Sequence, residues 1–289
     1  MMPRKRLGRT DIDISTFGLG TVKFGRNQGL KHPVPFELPS NETLRELLAC
    51  ARDMGVNLLD TAPAYGYSEE RLGELLRKER KDWVISTKVG EEFGLDKVSG
   101  AGKSHYDYSA RHTRVSLERS LRRLRTDYLD LVLVHSDGND LDILTRTPVI
   151  QTLQQLKQEG WIRAFGFSSK TLEGGLLAAE LCDAVMLTYH PRYQDEQPVI
   201  AKSAQQGAAV LLKKVLASGH ICDDAPPLRH EVAHPAEHDP VQAAFDFAYA
   251  HAGVTSAVVG TINLQHLRAN LIKALRAQTG HTLIGQNYE

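Results

Sequence analysis

The sequence predicts an α/β fold, a (β/α)8 TIM barrel in which an N-terminal β-hairpin closes one end. Short apolar runs alternate with amphipathic stretches of helical period, and this pattern occurs eight times in 289 residues. Eight regular units within the usual length of one barrel domain favour closure over a doubly wound open sheet, which is the alternative. We expect residues 1–289 to form a single barrel domain.

The predicted strands are short and rich in β-branched and apolar residues. They span residues 16–21, 57–61, 83–88, 129–135, 164–168, 184–187, 209–212 and 256–259. A helical pattern follows each one. The first helix, for example, has apolar residues at positions 44, 47, 48 and 51 behind a cap at Ser40 or Asn41.

Glycine marks the boundary between several helices and the next strand. Gly55, Gly160, Gly207 and Gly253 each follow a helical pattern and precede a predicted strand. Glycine adopts the left-handed conformation that commonly ends a helix. We therefore expect each of the four to close the helix before it.

Three long connections, residues 22–41, 89–109 and 218–239, all follow strands. In a β/α barrel such loops gather at one rim, and long loops usually cover a functional site. The sequence thus predicts substrate enclosure at this rim. Before the first barrel strand, a turn at residues 8–11 predicts a small hairpin that would close the opposite end.

Composition narrows the classes of function. Lys plus Arg and Asp plus Glu each total 35, so the formal net charge is zero. No global basic field attracts nucleic acid or an anionic membrane, and no segment has the length of a membrane span or the apolar core of a signal peptide. The three cysteines are far apart and fit free thiols. We expect a cytoplasmic protein with a small-molecule partner; the sequence says nothing of oligomeric state.

Polar side chains lie at the carboxyl ends of three predicted strands, and a fourth follows the first of these strands. They are Asp60, Tyr65, Lys88 and His135. A single strand-end Asp or His is usually a capping or core hydrogen-bonding residue. Because the carboxyl ends of barrel strands meet at one mouth, four such residues in chain order predict an active site.

Five segments carry a resemblance to a known family. They read LLDTAPAYGYSEERLGELL, VISTKVG, SLERSLRRLRTDYLDLVLVH, EGWIRAFGFSS and VTSAVVGTINLQHLRANL. These segments resemble the sequence blocks of the aldo-keto reductase family over nearly the whole chain. The resemblance implies NADPH-dependent reduction of an aldehyde or ketone, with Asp60, Tyr65, Lys88 and His135 as the catalytic tetrad.

The chemistry of these residue types agrees with that reaction. Hydride delivered to a carbonyl carbon leaves an alkoxide, which needs a proton donor and preorganised polar groups. Tyr65 can give the proton, an adjacent Lys88 ammonium would stabilise the phenolate, and Asp60 would keep Lys88 charged. His135 would polarise or orient the carbonyl oxygen. The competing hypotheses are a nucleotide-binding regulatory protein and, less favoured beside Asp60, a Schiff-base enzyme using Lys88.

Cofactor binding has to come from the barrel itself, because no GxGxxG sequence opens a strand-turn-helix unit. The resemblance implies that the nicotinamide lies across the mouth at Gly20, Thr21, Ser168 and Ser169. It assigns Leu216 and Ser218 to the loop that covers the pyrophosphate, and Lys213 and Lys214 beside them are candidates for the same phosphates. It assigns the adenosine end to Gly260, Thr261, Asn263, Arg268 and Asn270.

NADPH is expected rather than NADH, because Arg268 can reach the 2′-phosphate. At the two positions where many family members carry a basic pair, this chain has Gly260 and His266. The expected preference therefore depends on a single guanidinium.

Three further positions depart from the family pattern. Ser169 stands where an Asn is usual, Met186 where a Gln is usual, and Lys213 where an aromatic residue stacks on the nicotinamide. Met186 cannot make the hydrogen bonds of Gln. Lys213 or Lys214 is expected either to reach the pyrophosphate or to lie on a solvated rim.

Residues 219–239 are rich in potential metal ligands. They include His220, Cys222, Asp223, Asp224, His230, His234 and His238. Their spacing matches no compact zinc pattern, so we predict no metal. Candidates for a substrate pocket are Phe24, Tyr67, His105 and Trp161, of which only Phe24 is near the mouth by sequence.

Overall fold

The structure is a computed structural model, and it describes residues 1–30, 35–95, 102–222 and 239–284. Twelve strands occur in these ranges. They are β1 Arg4–Arg6, β2 Asp13–Ser15, β3 Phe17–Gly20, β4 Leu58–Asp60, β5 Val84–Val89, β6 Glu91–Leu95, β7 Gly102–Tyr106, β8 Leu129–His135, β9 Ile162–Ser168, β10 Ala184–Thr188, β11 Ala209–Lys213 and β12 Ser256–Val259.

Ten α-helices accompany these strands in the same ranges. They are α1 Val22–Gly25, α2 Asn41–Asp53, α3 Ser68–Leu75, α4 Ala110–Leu124, α5 Asp140–Arg146, α6 Val149–Gln158, α7 Leu172–Leu181, α8 Gln197–Gln206, α9 Pro240–Tyr249 and α10 Leu264–Ile284. Within the described chain, no helix is both long and apolar enough to cross a lipid bilayer.

Eight parallel strands close into a barrel in the order β3, β4, β5, β8, β9, β10, β11, β12, with β12 pairing β3. The predicted (β/α)8 barrel is confirmed, and the open sheet is excluded. Each predicted strand overlaps an observed one, because buried parallel strands are nearly continuous apolar runs that the sequence displays clearly. Of the two predicted caps of α2, the structure selects Ser40, whose side chain accepts a hydrogen bond from the amide of Thr43.

The N-terminal hairpin is also confirmed. Strands β1 and β2 pair antiparallel, and the turn between them places Leu7 and Ile12 in the core inside the barrel. Gly8 adopts a φ of 55°, and a Cβ there would lie 2.5 Å from the carbonyl oxygen of Asp183. Because Asp183 precedes β10, the hairpin closes the end of the barrel at which the strands begin.

Three of the four glycine predictions are confirmed. Gly55, Gly160 and Gly207 have φ values of 90°, 82° and 68° and follow α2, α6 and α8. The prediction for Gly253 is wrong, since α9 already ends at Tyr249 and the φ of Gly253 is not positive. A Cβ at Gly253 would lie 2.8 Å from the Ile200 side chain, so close packing explains this glycine.

The connection at residues 89–109 is not simply a loop. It contains β6 and β7, which pair antiparallel with Glu91 opposite Tyr106. Just beyond this hairpin, the hydroxyl of Tyr108 donates to the carbonyl oxygen of His135 at 3.0 Å. The sequence analysis missed the hairpin because neither strand alternates apolar and polar residues clearly. The contact with His135 anchors it at the carboxyl end of the barrel.

Candidate active site

A buried ion pair lies at the ends of two neighbouring strands. Lys88 of β5 donates to both carboxylate oxygens of Asp60 of β4, at 2.7 and 2.8 Å, and to the carbonyl oxygen of Thr61 at 2.8 Å. Both side chains are almost fully buried. Burial alone would lower the pKa of Lys88, but Asp60 and Tyr65 together outweigh it and the pKa is raised. Lys88 is therefore an ammonium at neutral pH.

Tyr65 lies beside this pair on a 3-10 turn, Pro63–Tyr65, that follows β4. The Lys88 Nζ is 4.8 Å from the centre of the Tyr65 ring. The turn packs against α1: a Cβ at Gly25 would lie 2.5 Å from the Tyr65 carbonyl oxygen, and one at Gly66 would lie 2.2 Å from that of Gly25. Two glycines therefore allow the close approach that fixes Tyr65.

Two opposing effects act on the pKa of Tyr65. Burial raises the pKa of the phenol, and Lys88 lowers it but does not reverse the shift. Tyr65 therefore holds its proton firmly at neutral pH. This protonation state suits a proton donor, and Lys88 still stabilises the phenolate that donation produces.

His135, at the end of β8, completes the predicted tetrad. Its ring meets the Tyr65 ring edge-on, with ring centres 6.4 Å apart and planes at 85°. Its Nδ1 lies 2.7 Å from Oε2 of Glu91, which the sequence analysis did not select. Burial lowers the pKa of His135, Glu91 opposes that shift, and the Lys88 and Lys213 charges add to it. The structure therefore brings all four predicted catalytic residues together and adds a carboxylate.

Glu91 is held in place by the β6–β7 hairpin. The hydroxyl of Ser104, on β7, donates to Oε1 of Glu91 at 2.5 Å. Burial by itself would raise the pKa of Glu91, but His135, Ser104 and Arg26 lower it to about 2. Glu91 is therefore a carboxylate at neutral pH. Its position two residues beyond the end of β5 was the available sequence signal.

Replacing Glu91 with Gln should move the His135-dependent limb of the pH profile of kcat/KM to lower pH. The carboxylate favours the protonated form of His135, so its loss lowers the pKa of the imidazole. The matched control is Glu92→Gln, since Glu92 contacts Arg119 and His112 on α4 instead. Equal profiles for the two variants would mean that Glu91 does not act on His135.

A second polar cluster lies at the ends of β9, β10 and β11. The Nζ of Lys213 donates to Ser168 Oγ at 2.9 Å and to the Ser169 carbonyl oxygen at 2.6 Å. The Ser169 hydroxyl donates to Oε2 of Glu196 at 2.5 Å, and the Thr188 amide donates to Oε1 of Glu196 at 3.2 Å. Lys213 is thus directed across the end of β10 toward the end of β9.

The loop after β11 has an unusual backbone. Lys214, Ala217 and Ser218 have φ values of 58°, 48° and 60°, although none of them is glycine. Such conformations cost free energy and cluster at ligand-binding sites. Leu216 lies within this loop, and its carbonyl oxygen accepts from the amide of Gly219. The loop is therefore a candidate for holding the phosphates of a nucleotide.

Two residues assigned to the nicotinamide end lie where β3 finishes. A Cβ on Gly260, after β12, would lie 3.1 Å from the Gly20 carbonyl oxygen, so the two glycines face each other. Thr21 is fully buried, and its hydroxyl donates to the Asp60 carbonyl oxygen and contacts Ser68 Oγ. Thr21 thus braces the strand that carries Asp60.

At the predicted adenosine end, several polar side chains make hydrogen bonds to backbone amides at the start of helix α10. The side chain of Asn263 accepts from the amides of Gln265 and His266 at 2.9 and 3.1 Å, and Thr261 Oγ1 accepts from the Asn263 amide. Asn270 is buried, and Arg268 is exposed. The helix amides are therefore capped by the chain itself, and Arg268 lies on the surface of the helix.

The remaining sequence candidates are buried in the core, lie at the closed end, are exposed, or lie outside the described residues. Phe24 is fully buried in the core, Trp161 precedes β9 at the closed end of the barrel, and Met186 is buried inside the barrel. Tyr67 and His105 are exposed. Within the described ranges no three His, Cys, Asp or Glu residues cluster as metal ligands. Outside those ranges lie Asp223, Asp224, His230, His234 and His238.

A buried lysine-carboxylate pair beside a tyrosine and a histidine, at the carboxyl ends of barrel strands, is an arrangement that suits proton transfer to a small substrate. Comparison with known proteins gives the family. A sequence model of the aldo/keto reductase family matches residues 16–278, and the chain belongs to that family. It is an NAD(P)H-dependent oxidoreductase.

The relatives cover the chain to different extents. L-galactose dehydrogenase from Arabidopsis thaliana is 29% identical over 279 residues, which are 92% of this chain and 80% of that protein. The uncharacterized oxidoreductase YqkF from Bacillus subtilis is 34% identical over 170 residues, 58% of this chain and 49% of YqkF, so the match spans about half of that relative. The structure of PA4992 from Pseudomonas aeruginosa, described there as an aldo-keto reductase, superposes with a TM-score of 0.81 at 47% identity, over 95% of this chain and 94% of that one.

The residues at the mouth fit a nicotinamide cofactor. Ser168 Oγ and Lys213 Nζ offer an acceptor and a donor that suit a carboxamide. Glycine at positions 20 and 260 leaves the mouth free of side chains where β3 and β12 end. Residues 214–218 and Arg268 supply backbone and cationic groups that suit phosphates.

Proposed function

We propose that the protein reduces an aldehyde or ketone to an alcohol with NADPH, and that Tyr65 is the general acid. The observation that carries this proposal is the placement of Tyr65 between an ammonium and an imidazole. Lys88 lies 4.8 Å from the centre of its ring, and His135 meets the ring edge-on. This arrangement suits a carbonyl oxygen that acquires negative charge and then a proton.

Each residue has a separate task in this reaction. A bound nicotinamide cofactor supplies the hydride. Tyr65 donates its proton to the substrate oxygen, and His135 orients that oxygen. Lys88 stabilises the phenolate left on Tyr65, and Asp60 keeps Lys88 charged in its buried position. Asp60, Lys88 and His135 lie on barrel strands and Tyr65 lies on a closely packed turn, so little reorganisation accompanies the proton transfer.

The experiment that tests the proposal combines binding with turnover. Purified protein is titrated with NADPH and NADH, and NADPH oxidation is then followed with a panel of aldehydes and ketones. We expect binding of NADPH and turnover of at least one carbonyl class. Tight cofactor binding without turnover of any carbonyl, or of any alcohol or sugar in the reverse direction, would favour a regulatory nucleotide-binding protein.

Replacing Arg268 with Ala should weaken NADPH binding by roughly ten- to a hundred-fold and leave NADH binding nearly unchanged. A charge-assisted hydrogen bond to the 2′-phosphate contributes about 1.5 to 3 kcal/mol, and NADH has no such phosphate. Calorimetric affinities for both cofactors provide the measurement. Arg276→Ala, an exposed arginine two turns further along α10, is the control. Equal losses for NADPH and NADH would assign Arg268 to helix stability alone.

A further inference from the structure

The side chain of Lys213 brings a second cation into the barrel mouth. Lys213 ends β11, and its Nζ reaches Ser168 and Ser169 at the end of β9. Ser168 is paired in register with His135 of β8. The Lys213 charge is close enough to His135 to contribute to lowering the pKa of the imidazole. Lys213 therefore lies on the opposite side of His135 from Lys88 in the ring of strands.

The two lysines differ in how their charges are balanced. The charge of Lys88 is balanced by Asp60, whose Oδ1 lies 2.7 Å from the Lys88 Nζ. Lys213 has no ion pair with any residue that the structure describes, and its contacts are a hydroxyl and a carbonyl oxygen. Glu196 is nearby, but its two oxygens accept from Ser169 and from the Thr188 amide. Among the residues that the structure describes, the Lys213 charge therefore has no contacting counter-ion on this side of the mouth.

Lys213 is predominantly an ammonium at neutral pH. Burial lowers its pKa to about 8, with Glu196 and Asp140 raising it and Lys214 and Lys170 lowering it. The group is thus charged below this value and neutral well above it.

The nicotinamide ring has to lie in the same mouth if the proposed function holds. Hydride transfer requires the reacting atoms to approach to about 3 to 3.5 Å, and the substrate oxygen is bound at Tyr65. The oxidised ring carries a positive charge, whereas the reduced ring is neutral. A nearby cation in a poorly solvated pocket therefore repels one redox state and not the other.

We propose that Lys213 makes the site select the redox state of the cofactor, favouring the neutral reduced nicotinamide over the cationic oxidised one. This inference rests on the proposed function and adds that the site favours the reductive direction of the reaction. Weaker binding of the oxidised cofactor speeds its departure after each reduction, since affinity differences reside mostly in dissociation rates. The phosphates, riboses and adenine are the same in both states, so the ratio of the two affinities isolates the effect at the ring.

The test measures dissociation constants for NADP⁺ and NADPH with Lys213→Gln, Lys213→Arg and Lys214→Gln. Glutamine keeps a hydrogen-bond donor and loses the charge, and arginine keeps the charge. In Lys213→Gln we expect the ratio of the NADP⁺ constant to the NADPH constant to fall roughly ten-fold. Lys213→Arg should retain the wild-type ratio. Lys214→Gln, a neighbour in the phosphate loop, should change both constants by the same factor.

A wild-type ratio retained in Lys213→Gln would overturn the inference and leave the proposed function standing. A wild-type protein that binds neither cofactor would defeat the proposed function itself. If Lys213→Gln does not fold, the wild type supplies the test, because its ratio should fall as pH rises through about 8 and Lys213 loses its charge. A ratio that is constant across this range would contradict the inference.

Discussion

Replacing Tyr65 with Phe should reduce carbonyl turnover by roughly two to four orders of magnitude and leave cofactor affinity within a few-fold of the wild type. The expected loss is that of general-acid catalysis. Phenylalanine keeps the ring that packs beside Lys88 and His135 and removes only the hydroxyl group that carries the proton. Because burial raises the pKa of Tyr65, the wild-type phenol is fully protonated at neutral pH and available to donate.

The control for this variant is Tyr67→Phe, two residues along the chain. Tyr67 is 68% exposed, so loss of its hydroxyl should leave turnover unchanged. Single-turnover rates and cofactor titrations of both variants separate chemistry from binding. Tyr65→Phe turning over at the wild-type rate would remove Tyr65 from the mechanism and transfer the role of proton donor to His135.

The barrel and the tetrad could be predicted from the sequence because both depend on local patterns. Eight buried parallel strands read as apolar runs, and Asp60, Lys88 and His135 end three of them. Closure of the barrel then brings these residues together without any further information. The hairpin turn at Gly8 was visible for the same reason, since a turn is a local signal.

What the sequence did not reveal depends on contacts between distant segments. Glu91 meets His135 only because β6 and β7 fold over the mouth, and that hairpin lacks a clear alternation of apolar residues. Glu196 reaches Ser169 across the end of β10, a contact with no sequence period. Gly253 was misread because packing against Ile200, rather than backbone conformation, requires a glycine there.

Replacing Lys88 with Met should destabilise the protein by about 3 to 5 kcal/mol and raise the pH at which the reverse reaction, alcohol oxidation, becomes fast. Removal of one partner of a buried ion pair leaves the other charge uncompensated, and Asp60 is almost fully buried. This cost is a large fraction of the stability of a typical domain. The kinetic shift has a separate cause, since Lys88 lowers the pKa of Tyr65 against the effect of burial and its loss raises that pKa further.

Denaturant unfolding and the pH profile of oxidation measure the two effects independently. Lys157→Met is the matched control: Lys157 pairs with Asp183 at 2.7 Å near the closed end of the barrel, but its side chain is 37% exposed. That variant should lose much less stability and keep the wild-type pH profile. The double variant Asp60→Asn with Lys88→Met should recover part of the lost stability, because no buried charge remains, and yet stay catalytically impaired. An unshifted oxidation profile in Lys88→Met would mean that the ammonium stabilises the fold around Asp60 without acting on the phenol.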